Sequence, residues 1–208
     1  MKKLRLWLRA VRPFAFTASI LSVLLGNVLA IREGYFNLWL FFLTLLGALL
    51  LHSGTNLIND YYDYQSGLDN EESYGSSGVL VEGLLQPHQL RKQGLICLVL
   101  VIPVAIYLSY LRGLELGFLI LFGLIGGYTY TAKPVNYKYY GLGVPLVFIL
   151  MGPSMVIGAY YVQTASYSSD VLFSSIPLGL LVSAILHSND LRDIKYDSRV
   201  GINTLAIL

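Results

Sequence analysis

Six apolar runs, each close to the length that a helix needs to cross a bilayer, dominate this sequence. They cover residues 14–31, 38–58, 94–111, 114–131, 142–161 and 171–187. A helix needs about 20 apolar residues to cross the hydrocarbon core. Charged residues make up only 12% of the chain, whereas soluble domains carry about 25%. We therefore predict an all-α, multi-spanning transmembrane helix bundle of six spans, forming a single membrane domain over residues 1–208.

The basic residues are distributed unevenly between the two ends of the predicted bundle. Of the 14 Lys and Arg residues, only Arg32 and Arg112 lie in loops on one side, and the rest lie on the side of the N-terminus. Cytoplasmic loops carry the excess of Lys and Arg in membrane proteins. The sequence thus predicts an integral, multi-pass protein of a bacterial or archaeal cell membrane with a cytoplasmic N-terminus. A net charge of +2 is too small to indicate a nucleic-acid partner.

Aspartates cluster at the cytoplasmic ends of the second and sixth predicted spans. All but one of the chain's aspartates belong to two segments, Asn56-x3-Asp60-x2-Asp63 with Asp69 beyond it, and Asp190-x2-Asp193-x3-Asp197. Steps of three and four return to the same face of a helix. Each segment therefore presents its carboxylates together if its span continues as a helix. Two such faces pointing at each other would form a strongly negative cup beside an apolar bundle.

A hard divalent cation fits such a cup. Mg²⁺ prefers oxygen ligands and is typically held by one or two carboxylates together with substrate phosphates. Two Asp clusters can therefore bind a diphosphate through Mg²⁺, and basic residues would complete the site. The candidate cations are Lys133 in the segment YTYTAKP, Arg192 within the second cluster, and Arg91, Lys92, Lys138 and Lys195. A diphosphate at the membrane surface, with its tail among apolar helices, describes a polyprenyl diphosphate.

Other interpretations of these residues stay open. A single Asp-rich segment after a span is typical of a solvated loop, and a cation transporter with acidic vestibules would also place carboxylates near the membrane. An inactive remnant of an enzyme is a third alternative. The tyrosines near the motifs fit an interfacial aromatic belt, or one or two of them stabilise a carbocation. His52 and His187, near the ends of two spans, are interpreted as buried polar packing, and the sequence identifies no catalytic base.

Three segments, in this order along the chain, resemble the motifs of one family of membrane enzymes. NLINDYYD at 56–63 looks like a first, NDxxD-type motif. YTYTAKP at 128–134, followed by Gly141-Leu-Gly143, is similar to a central cytoplasmic segment. NDLRDIKYD at 189–197, followed by Gly201 and Thr204-Leu-Ala206, looks like a second, DxxxD-type motif. The family is the UbiA superfamily of intramembrane prenyltransferases, and the motifs are most similar to those of its menaquinone branch.

This resemblance implies Mg²⁺-dependent transfer of a polyprenyl group from a polyprenyl diphosphate to an aromatic acceptor within the lipid bilayer. The expected acceptor is 1,4-dihydroxy-2-naphthoate, with 4-hydroxybenzoate or a lipid acceptor as alternatives. The metal ligands would be Asp60, Asp63, Asp190, Asp193 and Asp197. The residues with a catalytic role would be Asp60, Asp63, Asp193, Asp197, Lys133 and Arg192. The residues that bind substrate would be Asn56, Asn59, Asp69, Tyr130 and Asn189.

The chain departs from the family pattern in several places. Asp63 to Asp69 is a step of six, where the family's last aspartate is commonly nearer. The segment SSGVLVEG at 76–83 lacks the arginine that often follows the first motif, Val144 replaces an acidic residue, and Ile202 replaces a lysine. The family fold usually has nine helices, whereas the six predicted spans end with the second motif. We therefore expect an N-terminal fragment of a longer prenyltransferase.

Overall fold

The computed structural model describes residues 2–70 and 75–208 of the chain. Between the predicted spans at 38–58 and 94–111 we expect a cytoplasmic segment, 59–93, and similar segments at 132–141 and 189–201; residues 71–74 of the first lie outside the described residues. Over the described ranges the fold is helical, with no β-strand and one isolated bridge between Tyr140 and Asn203. The α-helices are α1 (Lys2–Val11), α2 (Phe16–Arg32), α3 (Leu38–Gln65), α4 (Pro87–Arg112), α5 (Leu114–Thr129), α6 (Gly143–Ile149), α7 (Met155–Thr164) and α8 (Ser169–Arg199). The predicted all-α class is confirmed.

The number of helices that can cross a membrane is five in the described part of the chain, one fewer than predicted. These are the segment Pro13–Arg32, α3, α4, the continuous segment Gly143–Thr164, and α8. The predicted span at 114–131 corresponds to α5, which is apolar but only 16 residues long. A helix of that length rises about 24 Å, which is less than the roughly 30 Å of a hydrocarbon core.

The fifth predicted span forms one helical segment with a π-helical turn at its centre. This turn, Leu150–Ser154, joins α6 to α7 and contains Pro153. Proline has no amide hydrogen to donate within a helix, and a local π turn is a common adjustment of membrane helices to it. Gly152 in this turn lies against α8, because a Cβ added there would be only 2.6 Å from the Cα of Gly179. The turn thus lets α8 pack closely against the segment.

Small residues also bring α3 and α4 together next to the first motif. A Cβ added to Gly54 would lie 2.7 Å from Leu98 Cδ2, and one added to Gly94 would lie 2.9 Å from Ile58 Cγ1. Small residues at helix interfaces allow this close approach in membrane proteins. The end of α3 that carries the first motif is therefore held against α4.

The amphipathic helix α1 packs against the same end of α3. Ala10 is fully buried in a cluster with Leu57 and Val79, and Trp7 and Val11 pack against this cluster. We call this end of the bundle, which also holds the end of α8 and the α5–α6 connection, the motif end. The opposite end, with the loops at residues 33–37, 113 and 165–168, is called the far end.

A buried polar cluster ties α2, α3 and α7 together at the far end. The side-chain amide nitrogen of Gln163 donates to Asn27 Oδ1 at 2.8 Å and to the Asn37 carbonyl at 3.1 Å. The Asn37 N–H donates in return to Gln163 Oε1 at 2.7 Å. Gln163 and Asn27 are both buried. Because buried amides must be hydrogen-bonded, this cluster sets the relative position of the three helices.

Replacing Gln163 with leucine is expected to lower the free energy of unfolding by about 2–4 kcal/mol, because it removes three hydrogen bonds and leaves the buried Asn27 oxygen without a donor. The measurement is the melting temperature of the purified protein in detergent. Gln65→Leu, at the exposed end of α3, is the matched control. Equal melting temperatures for the two variants would contradict the prediction.

Candidate active site

The two Asp-rich motifs meet at the motif end because both of their helices continue beyond the predicted spans. α3 runs on to Gln65 and α8 to Arg199, which confirms the helical continuation that the spacing required. The aspartates of both motifs are buried or largely buried. The loop after the first motif approaches the second, since a Cβ added to Gly75 would lie 3.4 Å from Asp193 Oδ2. The charged segments thus enclose one region.

Asp60 is neutralised by the N-terminal segment and held by the loop after the first motif. Its carboxylate forms a salt bridge with Arg12, and it accepts hydrogen bonds from the hydroxyl and the backbone N–H of Ser77. Burial lowers the pKa of the Arg12 guanidinium, and the nearby carboxylates of Asp69 and Asp63 oppose this effect. Arg12 Nε is buried and has no hydrogen-bond partner among residues 2–70 and 75–208. The guanidinium therefore has a donor still available for a ligand.

The backbone of Arg12 directs this side chain inward at some conformational cost. Its φ of 55° and ψ of 66° lie in the left-handed region, between α1 and the turn Pro13–Ala15. A non-glycine residue in that region costs of order 1 kcal/mol or more, and such residues concentrate at functional sites. Asn56 supports this turn, because its side-chain nitrogen donates to the Val11 carbonyl at 2.9 Å.

Asp63 is neutralised by the connection between α5 and α6. Lys138 Nζ lies 2.6 Å from Asp63 Oδ2, and the Tyr139 hydroxyl donates to Oδ1 at 2.6 Å. Burial disfavours the charged form of Lys138, but Asp63 together with Tyr130 and Tyr139 outweighs this effect and holds the pKa of Lys138 above its ordinary value. Lys138 also interacts electrostatically with Asp190 and Asp197 of the second motif. One ammonium group thus connects the two motifs.

The lysine predicted from the motif YTYTAKP lies elsewhere. Lys133 is exposed and is not among the described residues that line the central cavity, whereas Lys138 lines it. The chain turns between the two lysines: the Lys138 N–H donates to the Tyr130 carbonyl at 3.0 Å. The Tyr130 ring then lies 5.8 Å from Lys138 Nζ, within the distance of a cation–π contact.

Three buried carboxylates form no direct salt bridge within residues 2–70 and 75–208, although Lys138 acts on each of them electrostatically. Asp69, Asp190 and Asp197 are 4–8% exposed and take part in none of the salt bridges there. Burial raises the pKa of Asp69 to about 7, and the Asp63 charge adds to the effect. Asp193 differs, because it pairs with Arg192 of the same helix through two hydrogen bonds of 2.8 and 2.6 Å.

A cavity of about 1300 Å³ extends from this charged region into the bundle. Its walls beyond the motifs are mainly apolar, and it reaches Leu108 and Leu116 near the far end. Asp63 and Leu43 both line it and are about 30 Å apart along α3. The cavity therefore has a polar end and a long apolar body, which is the shape of a site for an amphiphile with an anionic head.

Most of the predicted site residues line this cavity. They are Asn56, Asn59, Asp63, Asp69, Tyr130, Asn189, Asp190, Arg192, Asp193 and Asp197. Among the residues that the structure describes, Asp60 and Lys133 are the predicted site residues absent from the lining. Asp60 lies just behind it, because Arg12 and Ser77, which do line the cavity, cover its carboxylate.

The donor set fits Mg²⁺ bound jointly with a ligand. All the candidate donors are oxygens, as Mg²⁺ prefers, and Asn59 Oδ1 is buried with no hydrogen-bond partner in the described part of the chain. No group of three His, Cys, Asp or Glu side chains in the described ranges is arranged to hold a metal by itself. This agrees with the usual mode, in which one or two carboxylates and the substrate's phosphates share the ion.

Comparison with known sequences identifies the fold and the motifs together. The profile of the UbiA prenyltransferase family matches residues 19–208. The chain belongs to the UbiA prenyltransferase family. It is 39% identical over 203 residues to UbiA prenyltransferase domain-containing protein 1 of Rattus norvegicus, covering 96% of this chain and 59% of that protein. It is 36% identical over 203 residues to the 1,4-dihydroxy-2-naphthoate octaprenyltransferase of Bacillus subtilis (strain 168), covering 98% and 65%.

A solved structure shares the UbiA fold. It is that of a UbiA homolog from Archaeoglobus fulgidus bound to DMAPP and Mg²⁺, with a TM-score of 0.69 at 17% identity. The match covers 97% of this chain and 68% of that one. The present chain thus spans about 60–65% of the length of the curated relatives named above.

Sequence reasoning overlooked three residues that contact the aspartates of the first motif. Arg12 was counted only among the basic residues of the cytoplasmic side, Ser77 only as part of a segment without arginine, and Tyr139 only among the interfacial tyrosines. The pair Arg12-Pro13 was the available signal for the first, because a buried cation before a helix-starting proline is unusual. Nothing in the local sequence distinguished Lys138 from Lys133.

Proposed function

We propose that this chain carries the donor site of a polyprenyltransferase and transfers a polyprenyl group from its diphosphate to an aromatic acceptor, 1,4-dihydroxy-2-naphthoate. The observation that supports this most is the cavity: its charged end joins two Asp-rich helices to three cationic side chains, and its body is apolar. Few ligands other than a prenyl diphosphate need both a multivalent anion site and a long apolar channel.

The diphosphate would bind at the charged end together with Mg²⁺. We assign Asp60, Asp63, Asp190, Asp193 and Asp197 as the residues that would hold the ion, directly or through water. Bound Mg²⁺ would neutralise the charge that collects on the departing diphosphate. Asp190 and Asp197 support this assignment, because both are buried and form no salt bridge in the described ranges, and a divalent ion would compensate their charge.

Arg12, Lys138 and Arg192 would contact the phosphate oxygens. In the structure each of them is paired with an aspartate of a motif. When a diphosphate binds, these cationic side chains would exchange their carboxylate partners for phosphate oxygens. The carboxylates would then be free to bind the metal ion. The high pKa of Lys138 keeps it charged throughout. Arg12 would take the place of the arginine that the segment 76–83 lacks.

Transfer would proceed by ionisation of the donor inside the apolar cavity. The bond between the first prenyl carbon and the diphosphate oxygen breaks, and its electron pair leaves with the diphosphate. Tyr130, which lines the charged end of the cavity, would face the resulting allylic cation with its ring. An electron-rich ring carbon of the acceptor then supplies the pair for the new carbon–carbon bond, and the carboxyl group leaves as carbon dioxide.

The proposal also covers the acceptor and the orientation of the protein in the membrane. The B. subtilis relative, 36% identical, is a 1,4-dihydroxy-2-naphthoate octaprenyltransferase, which supports this acceptor over 4-hydroxybenzoate or a lipid. We propose that the N-terminus and the motif end face the cytoplasm of a bacterial or archaeal cell, because the basic residues concentrate there.

The test is transfer by the purified protein in nanodiscs with labelled geranylgeranyl diphosphate and 1,4-dihydroxy-2-naphthoate. Prenylated naphthol is expected with 5 mM Mg²⁺ (a concentration on the order of common assay use) and none after EDTA treatment, because diphosphate release then lacks charge neutralisation. Mg²⁺ together with a non-hydrolysable diphosphate analogue should also raise the melting temperature, since both bind only the folded state.

The outcomes separate the alternatives. Product that survives EDTA would overturn the metal assignment. Transfer to 4-hydroxybenzoate but not to the naphthoate would overturn the acceptor. Absence of product with every acceptor, together with Mg²⁺-independent ion flux in liposomes, would favour a transporter.

A further inference from the structure

His52 is an ionisable side chain on the cavity wall to which the proposed function gives no role. Its Nδ1 lies 2.7 Å from the hydroxyl oxygen of Ser19, a fully buried residue of α2. The Phe16 ring packs edge-on against the imidazole, with 5.5 Å between ring centroids. The ring is thus held in one orientation with Nδ1 occupied, and no protein group in the described ranges bonds to Nε2.

His52 lies on α3 beyond the charged end of the cavity. His52 lies one turn before Asn56, and about 16 Å along the axis before Asp63. All three line the same cavity. The other ionisable side chains of the described cavity wall belong to the motif end. His52 therefore lines the cavity beyond the proposed diphosphate site, toward its apolar body.

We infer that His52 is a further catalytic residue: its Nε2 takes the hydroxyl proton of the aromatic acceptor, and Ser19 is the positioning residue that accepts a hydrogen bond from Nδ1. This rests on the proposed function. Histidine is the side chain that most often carries out such transfers, and the partner of one ring nitrogen decides which nitrogen is free. Ser19 can accept from Nδ1–H in both the neutral and the protonated ring, so the pair persists through the transfer.

The electrons and protons balance through one cycle. The hydroxyl proton moves to Nε2, and the oxygen pushes electron density into the ring. The carbon–oxygen bond to the diphosphate breaks with its pair on oxygen, and the ring carbon that bears the carboxylate then bonds to the first prenyl carbon of the allylic cation. The carbon–carboxylate bond then breaks, carbon dioxide leaves, and its pair restores the aromatic ring. The oxygen recovers its proton from His52, which returns to the neutral form.

The experiment compares His52→Gln and Ser19→Ala with the control His88→Gln, which changes an exposed histidine. With Mg²⁺ and geranylgeranyl diphosphate, His52→Gln should lower kcat for 1,4-dihydroxy-2-naphthoate by about 100-fold or more and leave KM for the diphosphate within about twofold. Ser19→Ala should lower kcat less, by about tenfold. Acceptors with more acidic hydroxyl groups should restore much of the His52→Gln rate, since they need no base.

A merely structural His52 would not produce that dependence on acceptor acidity. If His52→Gln keeps kcat within about threefold of wild type, or if acidic acceptors give no recovery, the inference is overturned while transfer itself stands. A second readout separates the failure of the proposed function. The chain has 3 histidines, so ¹³C-histidine NMR can follow each ring. The acceptor alone should shift the His52 signal and not that of His88, and an unchanged His52 signal overturns the inference even in a protein without transferase activity.

Discussion

Asp190→Asn is expected to reduce prenyl transfer on the order of 1000-fold while leaving the melting temperature in EDTA unchanged within about 2 °C. The loss follows because a ligand worth about 4 kcal/mol of charge stabilisation is removed, at about 1.4 kcal/mol per factor of ten. Stability is spared because Asp190 is buried but has no salt bridge to break in the described protein. Most single substitutions at buried charges do not separate activity from stability in this way.

The measurement is initial rate against Mg²⁺ concentration, together with thermal unfolding of the same preparations. Asp170→Asn is the matched control, because Asp170 is the exposed aspartate at the far end of the same helix. Asp190→Asn activity above about a tenth of wild type would remove Asp190 from the metal site. A large drop in melting temperature in EDTA would show that the carboxylate has a structural partner.

Lys138→Met is expected to lower both transfer and stability, whereas Lys133→Met should change neither. The Lys138 and Asp63 side chains are 14% and 4% exposed, so removing the lysine leaves a carboxylate buried without its cation. Breaking a buried ion pair on one side costs about 3–5 kcal/mol. Loss of the phosphate contact should add a fall in transfer of about 100-fold or more, since hydrogen bonds to charged groups are the strong ones.

Transfer rates and melting temperatures of the two lysine variants show which lysine belongs to the site, Lys133 of the motif YTYTAKP or Lys138 beside Asp63. The double variant Lys138→Met, Asp63→Asn should recover much of the lost stability, because neither charge is then buried without its partner. It should not recover activity. A Lys133→Met variant that loses transfer while Lys138→Met keeps it would restore the prediction made from YTYTAKP.

The membrane class, the helical fold and both motifs could be predicted from the sequence. Hydrophobic length and charge clustering are local properties, and the steps between Asn56, Asp60 and Asp63 place them on one face of any helix that continues. The count of spans was less predictable. α5 ends at Thr129, because the chain turns into the α5–α6 connection there, and a run of apolar letters gives no sign of that turn.

The partners of the carboxylates could not be read from the sequence. Arg12 reaches Asp60 across 48 positions and Lys138 reaches Asp63 across 75, so each pairing depends on how α1 and the α5–α6 connection pack against α3. Lys133 and Lys138 lie five positions apart in the same connection, and the turn after Tyr130 directs one outward and the other into the cavity.

The sequence by itself determined that the chain is a bundle of membrane helices with two acidic helix ends on one side. The reason is that hydropathy, helical period and the distribution of basic residues can be evaluated for each helix and its flanking loops separately. The tertiary structure alone decided which aspartates are paired with cations and which are buried unpaired. It also placed His52 against Ser19 on the wall of a cavity. Those facts depend on distances between helices, and the sequence pattern of a single helix does not predict them.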